Sequence, residues 1–258
     1  MELQGKTALI TGSAKGLGKR TALELAGQGC NIVLNYVRSE DEALSLKAEL
    51  EGLGVRATAI RADISSEEDV NRLAEQATAW SGGIDILINN AGPFIRERKR
   101  FADYERADIV RMLNGNLVGV MLLDYLLLPG MRRRRWGRII HFGFGHAGEA
   151  RAWPHRAAYA TAKTGLVSFT KTLAVEEAES GITVNMICPG DIRGAYKEKS
   201  IDEVEGVTDE ESPRGRPGTG EDVARVIAFL CAERSDFLTG NIIDVTGGFD
   251  PIKPSIKG

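Results

Sequence analysis

The chain has few cysteines and little net charge. Its three cysteines, Cys30, Cys188 and Cys231, are far apart, odd in number and without metal-ligand spacing. This pattern argues against a disulfide framework and against a metal site, and it favours a reducing compartment where the cysteines are small buried apolar residues. The formal charge of −3 over 258 residues gives no reason to expect a nucleic-acid or anionic-membrane partner. A small-molecule substrate fits this composition better.

Targeting and membrane signals are also lacking. A charged and apolar strand pattern begins almost at the first residue, without the basic segment and apolar stretch of a signal peptide. We find no apolar run that approaches the roughly 20 residues a membrane span requires. The sequence therefore predicts a soluble, cytoplasmic protein.

Short β-branched runs alternate with longer helical patterns along the chain. This alternation predicts an α/β fold in which a parallel sheet carries helices on both faces. No linker divides the chain, so we expect a single domain over residues 1–258. The predicted strands are Thr7–Thr11, Asn31–Tyr36, Ala57–Arg61, Asp85–Asn89, Arg138–Phe142, Thr183–Cys188 and Asn241–Val245.

Local signals mark some element ends. Ser65 followed by Glu68 resembles a capping box that opens a helix through Trp80. Pro154 suits the first turn of a long helix that ends before Gly181. The connection from residue 191 to residue 220 is long and charged and contains two prolines, which indicates a mobile flap over a site.

A glycine-rich turn directly follows the first predicted strand. It reads Thr11-Gly12-Ser13-Ala14-Lys15-Gly16-Leu17-Gly18, and an apolar-periodic helix continues to about Gln28. Glycines permit the tight turn and a close backbone approach, while the helix N-terminus offers free N–H groups and a partial positive charge. A turn of this kind between strand and helix predicts a phosphate-binding site.

This turn, together with Asn89-Asn90-Ala91-Gly92 and Tyr159-Ala160-Thr161-Ala162-Lys163, resembles the classical short-chain dehydrogenase/reductase family from Lys6 to about Gly248. The resemblance implies a Rossmann-like, doubly wound fold with a seven-stranded sheet, frequently assembled as a tetramer. It also implies that a nicotinamide cofactor serves to interconvert a carbonyl and an alcohol, and that Asp63 binds the adenine. The residues expected at the cofactor are Gly12, Ser13, Lys15, Gly16, Leu17, Gly18, Arg38, Asp63, Ile64, Asn90, Ala91, Gly92, Tyr159, Lys163, Pro189, Gly190 and Ile192.

Charge at the end of the second strand indicates which cofactor is used. The segment Asn35-Tyr36-Val37-Arg38 has no carboxylate that would repel a 2′-phosphate. Arg38 offers a donor fork suited to phosphate oxygens, and Lys15 in the glycine turn adds a second cation. We therefore expect NADP(H) rather than NAD(H).

Tyr159 and Lys163 stand four residues apart on a predicted helix, so their side chains share one face. A nearby ammonium favours the phenolate, which would let Tyr159 exchange a proton with the substrate oxygen. The resemblance implies that Lys163 also holds the nicotinamide ribose, and that Asn116 supports a proton-relaying water. A polar residue that only bonds locally within its helix is the alternative for Asn116.

Two family features are missing. Members usually carry a serine after strand five; aligning from the strand places Phe144 there, whereas counting thirteen residues back from Tyr159 places His146. Histidine can donate a hydrogen bond and phenylalanine cannot, so we slightly favour His146 as the fourth catalytic residue. We interpret the other histidines, His141 and His155, as ordinary surface or loop residues. Gly194 stands where the family commonly has a threonine that contacts the cofactor.

Overall resemblance makes a 3-oxoacyl thioester on an acyl carrier protein the best single substrate. The charged flap leaves a small polar ketone, a sugar or a polyol open, and the basic run Arg132–Arg135 could meet an acidic carrier or simply stabilise a helix end. A rival hypothesis is a nucleotide-binding sensor or scaffold that kept the fold and lost efficient chemistry. Intact Tyr159, Lys163 and Asn116 argue against it.

Overall fold

In the computed structural model, which describes residues 2–250 and residue 252, seven strands form one parallel sheet. Their order, β3-β2-β1-β4-β5-β6-β7, changes direction between β1 and β4. In open sheets of this kind, ligands bind beyond the carboxyl ends of the strands at such a switch point. The strands are β1 Thr7–Ile10, β2 Asn31–Tyr36, β3 Ala57–Arg61, β4 Ile86–Asn89, β5 Gly137–Phe142, β6 Ile182–Pro189 and β7 Ile242–Val245.

Helices cover both faces of this sheet, which confirms the predicted fold class. On β1, Ala8 and Ile10 pack into an apolar cluster that includes Leu25 of α1, whereas Leu9 joins a second cluster that includes Leu73 of α3 and Leu123 of α5. This alternation is the period-2 pattern of a strand buried on both sides. The α-helices are α1 Gly16–Gly27, α2 Glu40–Gly52, α3 Glu67–Ser81, α4 Arg106–Leu113, α5 Gly119–Arg134, α6 Ala157–Glu177 and α7 Gly220–Cys231.

Two predicted helix starts were wrong. Ser66, not Ser65, caps α3, where its hydroxyl accepts from the N–H of Asp69 at 3.4 Å. The Asp69 carboxylate turns away from the cap and accepts from the N–H of Asp63 at 2.7 Å, so no capping box closes. Pro154 precedes α6 by a turn in which His155 has a φ of +67°, and this backbone reversal delays the helix to Ala157.

One helical segment is longer and more apolar than the sequence analysis expected. Residues Arg106–Arg134 form a continuous helical run that contains an 18-residue window with a mean hydropathy of 1.4, and by length and composition this run is long and apolar enough to cross a membrane. Half of its apolar window is buried inside the protein, and Leu127 and Met131 of α5 lie in the core beside the sheet. The run therefore has the burial of a core helix.

Candidate active site

Glycines of the turn between β1 and α1 lie against the end of β4. Gly12 has a φ of +61°, and a Cβ added there would lie 2.9 Å from the Cβ of Ala91. A Cβ on Gly18 would lie 2.7 Å from Nδ2 of Asn90. Any larger residue would force the turn and the Asn-Asn-Ala-Gly segment apart, so the glycines are required by close packing as well as by conformation.

Amide side chains hold this turn in place. Asn90 donates from Nδ2 to the carbonyls of Thr11 at 2.8 Å and Gly12 at 3.0 Å. From the other side, Oδ1 of Asn35 accepts from the N–H of Gly12 at 3.1 Å, and the Ser13 hydroxyl accepts from the N–H of Asn35 at 3.0 Å. Sequence reasoning missed Asn35 as a site residue, although an amide inside an otherwise apolar strand is the signal that marks it.

The predicted adenine-side residues line a cavity of about 390 Å³ beside the turn. Asp63 and Arg38 lie at its edge, and Oδ1 of Asp63 accepts from the N–H of Ser65 at 2.9 Å. Lys15 is not a free cation here, because its Nζ lies 2.5 Å from Oε1 of Glu42 on α2. This exposed ion pair lowers the pKa of Glu42 through the Lys15 hydrogen bond. Further predicted residues in the lining are Gly12, Ile64, Ala91 and Gly92.

The predicted residues after β6 lie elsewhere. Gly190 packs so tightly that an added Cβ would be 2.9 Å from Cα of Thr246 at the end of β7. Gly190 and Ile192 line a separate cavity of about 190 Å³, which the flap closes with Arg193 and Arg216. Both arginines are paired: Arg193 meets Glu211 at 2.9 Å, and Arg216 meets Asp222 at 2.7 Å. Pro189 ends β6 directly before this cavity.

Tyr159 and Lys163 lie on the first turns of α6, with the Lys163 ammonium 5.9 Å from the centroid of the Tyr159 ring. Lys163 is only 3% exposed, and burial lowers its pKa to about 8. Burial also raises the pKa of the Tyr159 phenol. Desolvation is the largest cause of this rise, so that the influence of the Lys163 ammonium on the phenolate stays a prediction. Near neutral pH, the Tyr159 phenol is therefore protonated.

Asn116 lies in a π-helical turn, Asn114–Val118, that joins α4 to α5. Its Nδ2 donates to the carbonyls of Pro93 at 2.8 Å and Met112 at 3.0 Å, while its buried Oδ1 has no partner among residues 2–250 and 252. A Cβ added to Gly92 would lie 2.2 Å from this Oδ1 and 3.6 Å from Nζ of Lys163. The structure thus brings Asn116 and Lys163 together around Gly92. The unsatisfied acceptor at this point is Oδ1 of Asn116.

Aromatic rings surround Tyr159. Phe94 meets it edge-on at 5.0 Å between centroids, and Phe144 and Trp153 each lie 6.0 Å away. His146 is engaged elsewhere: its Nδ1 lies 2.7 Å from Oε1 of Glu149, and its backbone N–H donates to Asp244 at 2.7 Å. The structure therefore brings Phe144, and not His146, into ring contact with Tyr159.

A buried polar chain lies behind the site. Oδ1 of Asp124 accepts from Asn89 at 2.8 Å, and its Oδ2 lies 2.8 Å from Nε2 of His141. Nδ1 of His141 lies 2.8 Å from the Thr170 hydroxyl, which donates to the Leu166 carbonyl at 2.7 Å. The interpretation of His141 as a surface or loop residue was wrong, because it is fully buried. A histidine can be buried here since both ring nitrogens have partners.

A doubly wound sheet, a glycine turn at its switch point and a Tyr-x-x-x-Lys pair on α6 define a dinucleotide-binding oxidoreductase. The chain belongs to the classical short-chain dehydrogenase/reductase family: residues 12–250 match the family model described as enoyl-(acyl carrier protein) reductase.

Individual relatives agree with this membership. The chain is 48% identical to the protein named "Putative oxidoreductase YtkK" of Bacillus subtilis strain 168, over 95% of this chain and 96% of that one. It is 35% identical to the 3-oxoacyl-[acyl-carrier-protein] reductase FabG of Aquifex aeolicus strain VF5, over 96% of this chain and 98% of that one. The solved structure of a blue fluorescent protein from a metagenomic library, in complex with NADPH, superposes with a TM-score of 0.83 at 31% identity and covers 96% of this chain and 99% of that one.

The residues present fit a nicotinamide dinucleotide. Gly12 and Gly18 leave a bare backbone turn at the start of α1, where helix N–H groups favour a pyrophosphate. The unsatisfied Oδ1 of Asn116, buried next to Lys163, offers an acceptor at the other end of the site. The protein is therefore an oxidoreductase that uses a nicotinamide cofactor.

Proposed function

We propose that the protein is an NADP(H)-dependent reductase that converts a ketone with an apolar carbon skeleton to a secondary alcohol, with 3-oxoacyl thioesters as its best single substrate class. The observation that carries this proposal is the convergence of Lys163 and Asn116 on Gly92, one helical turn from Tyr159. This arrangement provides a proton donor and an adjacent cation at one point of the sheet edge.

The chemistry follows from these groups. When bound, the reduced nicotinamide supplies a hydride to the carbonyl carbon. Tyr159 donates its phenolic proton to the carbonyl oxygen, since burial keeps the phenol protonated near neutral pH. Below about pH 8, the charged Lys163 stabilises the phenolate that remains, and it is placed to hold the nicotinamide ribose. Asn116 would support the water that returns a proton to this pair.

The environment of Tyr159 supports an apolar substrate. Phe94, Phe144 and Trp153 present carbon surfaces around its ring, and Phe94 is 45% exposed. A sugar or polyol would bury its hydroxyl groups against these rings without partners, which costs about 1–3 kcal/mol for each. The carbon skeleton of an acyl chain or a ring ketone has no hydroxyl groups and therefore does not incur this cost. The name of the Aquifex aeolicus relative, a 3-oxoacyl-[acyl-carrier-protein] reductase, supports the same class.

The preference for NADP(H) is supported by Arg38, which lines the adenine-side cavity at the end of β2, and by the NADPH bound to the metagenomic relative. Lys15 can contribute a second cation once it leaves Glu42. No carboxylate lies in the strand-end segment from Asn35 to Arg38, so nothing there repels a 2′-phosphate.

We also propose that the chain works as one domain in a cytoplasmic homotetramer. Exposed apolar side chains on two neighbouring helices support an assembly: Tyr125 of α5 is 72% exposed and Val175 of α6 is 79% exposed. A carrier-bound substrate would dock near Tyr159. The arginine cluster Arg132–Arg135 does not serve this purpose, because it precedes β5, at the opposite end of the sheet, and Arg132 and Arg134 pair with Glu177 and Asp85.

A turnover screen tests the proposal. Purified protein is assayed with NADPH and with NADH against 3-oxoacyl, enoyl, diketone, quinone and sugar substrates, beside the variant Tyr159→Phe. We expect NADPH-dependent reduction of an apolar ketone, near-complete loss of turnover in the variant and unchanged NADPH affinity, since the ring remains and only the phenolic hydroxyl is removed. Tight NADPH binding without turnover of any compound would instead support the sensor hypothesis.

A further inference from the structure

The first half of the predicted flap is fixed between two helix starts. Residues 197–201, here called the strap, run past the N-termini of α1 and α7. On the α7 side, Glu221 donates from its N–H to the Lys199 carbonyl at 3.3 Å and accepts from the N–H of Ile201 at 2.6 Å. A Cβ added to Gly220 would lie 2.0 Å from the Lys197 carbonyl oxygen. The strap is therefore packed against α7 rather than free to move.

On the α1 side, a single carboxylate joins the strap to the glycine turn. Oε1 of Glu198 accepts from the N–H of Gly16 at 2.8 Å, and its Oε2 lies 3.3 Å from Nζ of Lys19. Gly16 is the first residue of α1, so this N–H has no acceptor inside the helix. A carboxylate is favoured at this position by the positive end of the helix dipole. Glu198 and Gly16 are 182 positions apart in the sequence.

Glu198 does not occupy the cavity that holds the adenine-side residues. It lines a neighbouring cleft with Lys19 and Glu42, on the α2 flank of the turn. The cavity lined by Arg38 and Asp63 does not include Glu198, although the two cavities share Ala14 and Lys15 in their linings. Within the part of the chain that the structure describes, no hydrogen bond engages the N–H groups of Leu17 and Gly18. The strap and a pyrophosphate can therefore use different donors of the same turn.

We infer that Glu198 is a positioning residue that locks the strap onto the glycine turn while the dinucleotide is bound and so slows its release. The inference rests on the proposed function, since it takes this turn as the pyrophosphate site. Loosening the strap at Glu198 then shortens the lifetime of the cofactor complex without touching Tyr159 or Lys163.

Dissociation kinetics test this role. NADPH bound to the protein is chased with excess NADP⁺ in a stopped-flow fluorimeter, and the dissociation rate is compared between variants. We expect Glu198→Ala to raise this rate roughly tenfold, the effect of losing one hydrogen bond to a charged group. The dissociation rate of Glu198→Gln should lie between those of the unmodified protein and Glu198→Ala, because the glutamine amide oxygen can still accept from the N–H of Gly16 while the ion pair with Lys19 is lost. Glu205→Ala is the matched control, since the side chain of this exposed flap glutamate makes no hydrogen bond or ion pair with the described residues.

The outcomes separate the two proposals. An unchanged dissociation rate in both Glu198 variants would overturn the inference. Tighter binding with faster association would also overturn it, because the carboxylate would then compete with the pyrophosphate. If the unmodified protein binds only NADH, the NADP(H) assignment fails and the same comparison runs with NADH. If it binds neither dinucleotide, the proposed function and the role of Glu198 fail together.

Discussion

Phe144 lies 6.0 Å from Tyr159, ring centroid to ring centroid, at one of the two positions where the family's serine is expected. Its ring cannot donate a hydrogen bond, and the alternative donor, His146, is held by Glu149 at 2.7 Å. Tyr159 is therefore the side chain that we expect to supply the hydrogen bond to the substrate oxygen. We therefore expect the site to be a weaker electrostatic catalyst than one with two donors.

Restoring the hydroxyl should increase turnover. We expect Phe144→Ser to raise kcat by up to roughly 10²-fold, the scale of one oxyanion donor, at a cost in stability of about 3–5 kcal/mol because Phe144 is buried in the core. The measurement is kcat with an active ketone, taken well below the melting temperature of the variant. Phe144→Ala is the control, since it opens the same space without a donor.

Equal kcat values for the serine and alanine variants would contradict this account. His146→Ala provides the complementary test: with its ring bound to Glu149, we expect kcat to change less than about twofold. A loss of roughly 10²–10³ would instead identify His146 as the donor, through a rearrangement of the loop after β5.

The fold was largely predictable because it depends on local periodicity. The predicted bounds of β2 and β3 agree with the structure residue for residue, since β-branched runs between turn residues leave little freedom. The pairing of charges was not predictable. Nothing near His141 in the sequence shows that Asp124, seventeen residues away, makes its burial possible. Likewise, the contact between Glu198 and Gly16 depends on how the flap crosses α1, which no local pattern encodes.

Cofactor preference should respond to two charges with opposite effects. Arg38→Asp should weaken NADPH binding by about 1.5–3 kcal/mol and reverse the preference towards NADH. Glu42→Gln should tighten NADPH binding, because Lys15 is then released from its ion pair to meet the 2′-phosphate. Both affinities are measured by fluorescence titration with each cofactor. Equal affinity of the unmodified protein for NADPH and NADH would reject the assignment of Arg38 and Lys15.

Stability should reveal the cost of the buried lysine. The pKa of Lys163 falls from 10.5 to about 8 on folding, so below pH 8 the folded state carries a poorly solvated charge. Between about pH 8 and 10.5 the folded protein sheds this proton while the unfolded chain keeps it, so the contribution of Lys163 to stability rises with pH. We expect Lys163→Met to be more stable than the unmodified protein at pH 7, by roughly 3 kcal/mol at most, and inactive.

This gain should shrink as the pH rises towards 10.5, and urea denaturation at several pH values measures it. Lys171→Met, an exposed lysine on the same helix, is the control and should show no such trend. A Lys163→Met variant that is less stable at pH 7 would mean that the ammonium has stabilising partners that outweigh its burial.

The polar chain behind the site should depend on Asp124. Asp124→Leu leaves His141 buried beside an apolar side chain, and we expect a loss of about 3–5 kcal/mol. Asp124→Asn can still accept from Asn89 and donate to Nε2 of His141, so it should lose only about 1 kcal/mol. Denaturant unfolding compares the two variants. Equal losses would show that the negative charge matters more than the hydrogen bonds.

The arginine cluster at the start of β5 and Tyr159 at the other rim of the sheet are separated by a strand of six residues, roughly 20 Å. At the first rim, Arg132 joins α5 to α6 through Glu177, and Arg134 joins α5 to Asp85, directly before β4. We therefore expect mutations there to change how much folded enzyme accumulates, and mutations at the other rim to change the activity of each molecule. The two ends of one sheet can therefore evolve separately, abundance at one and specificity at the other.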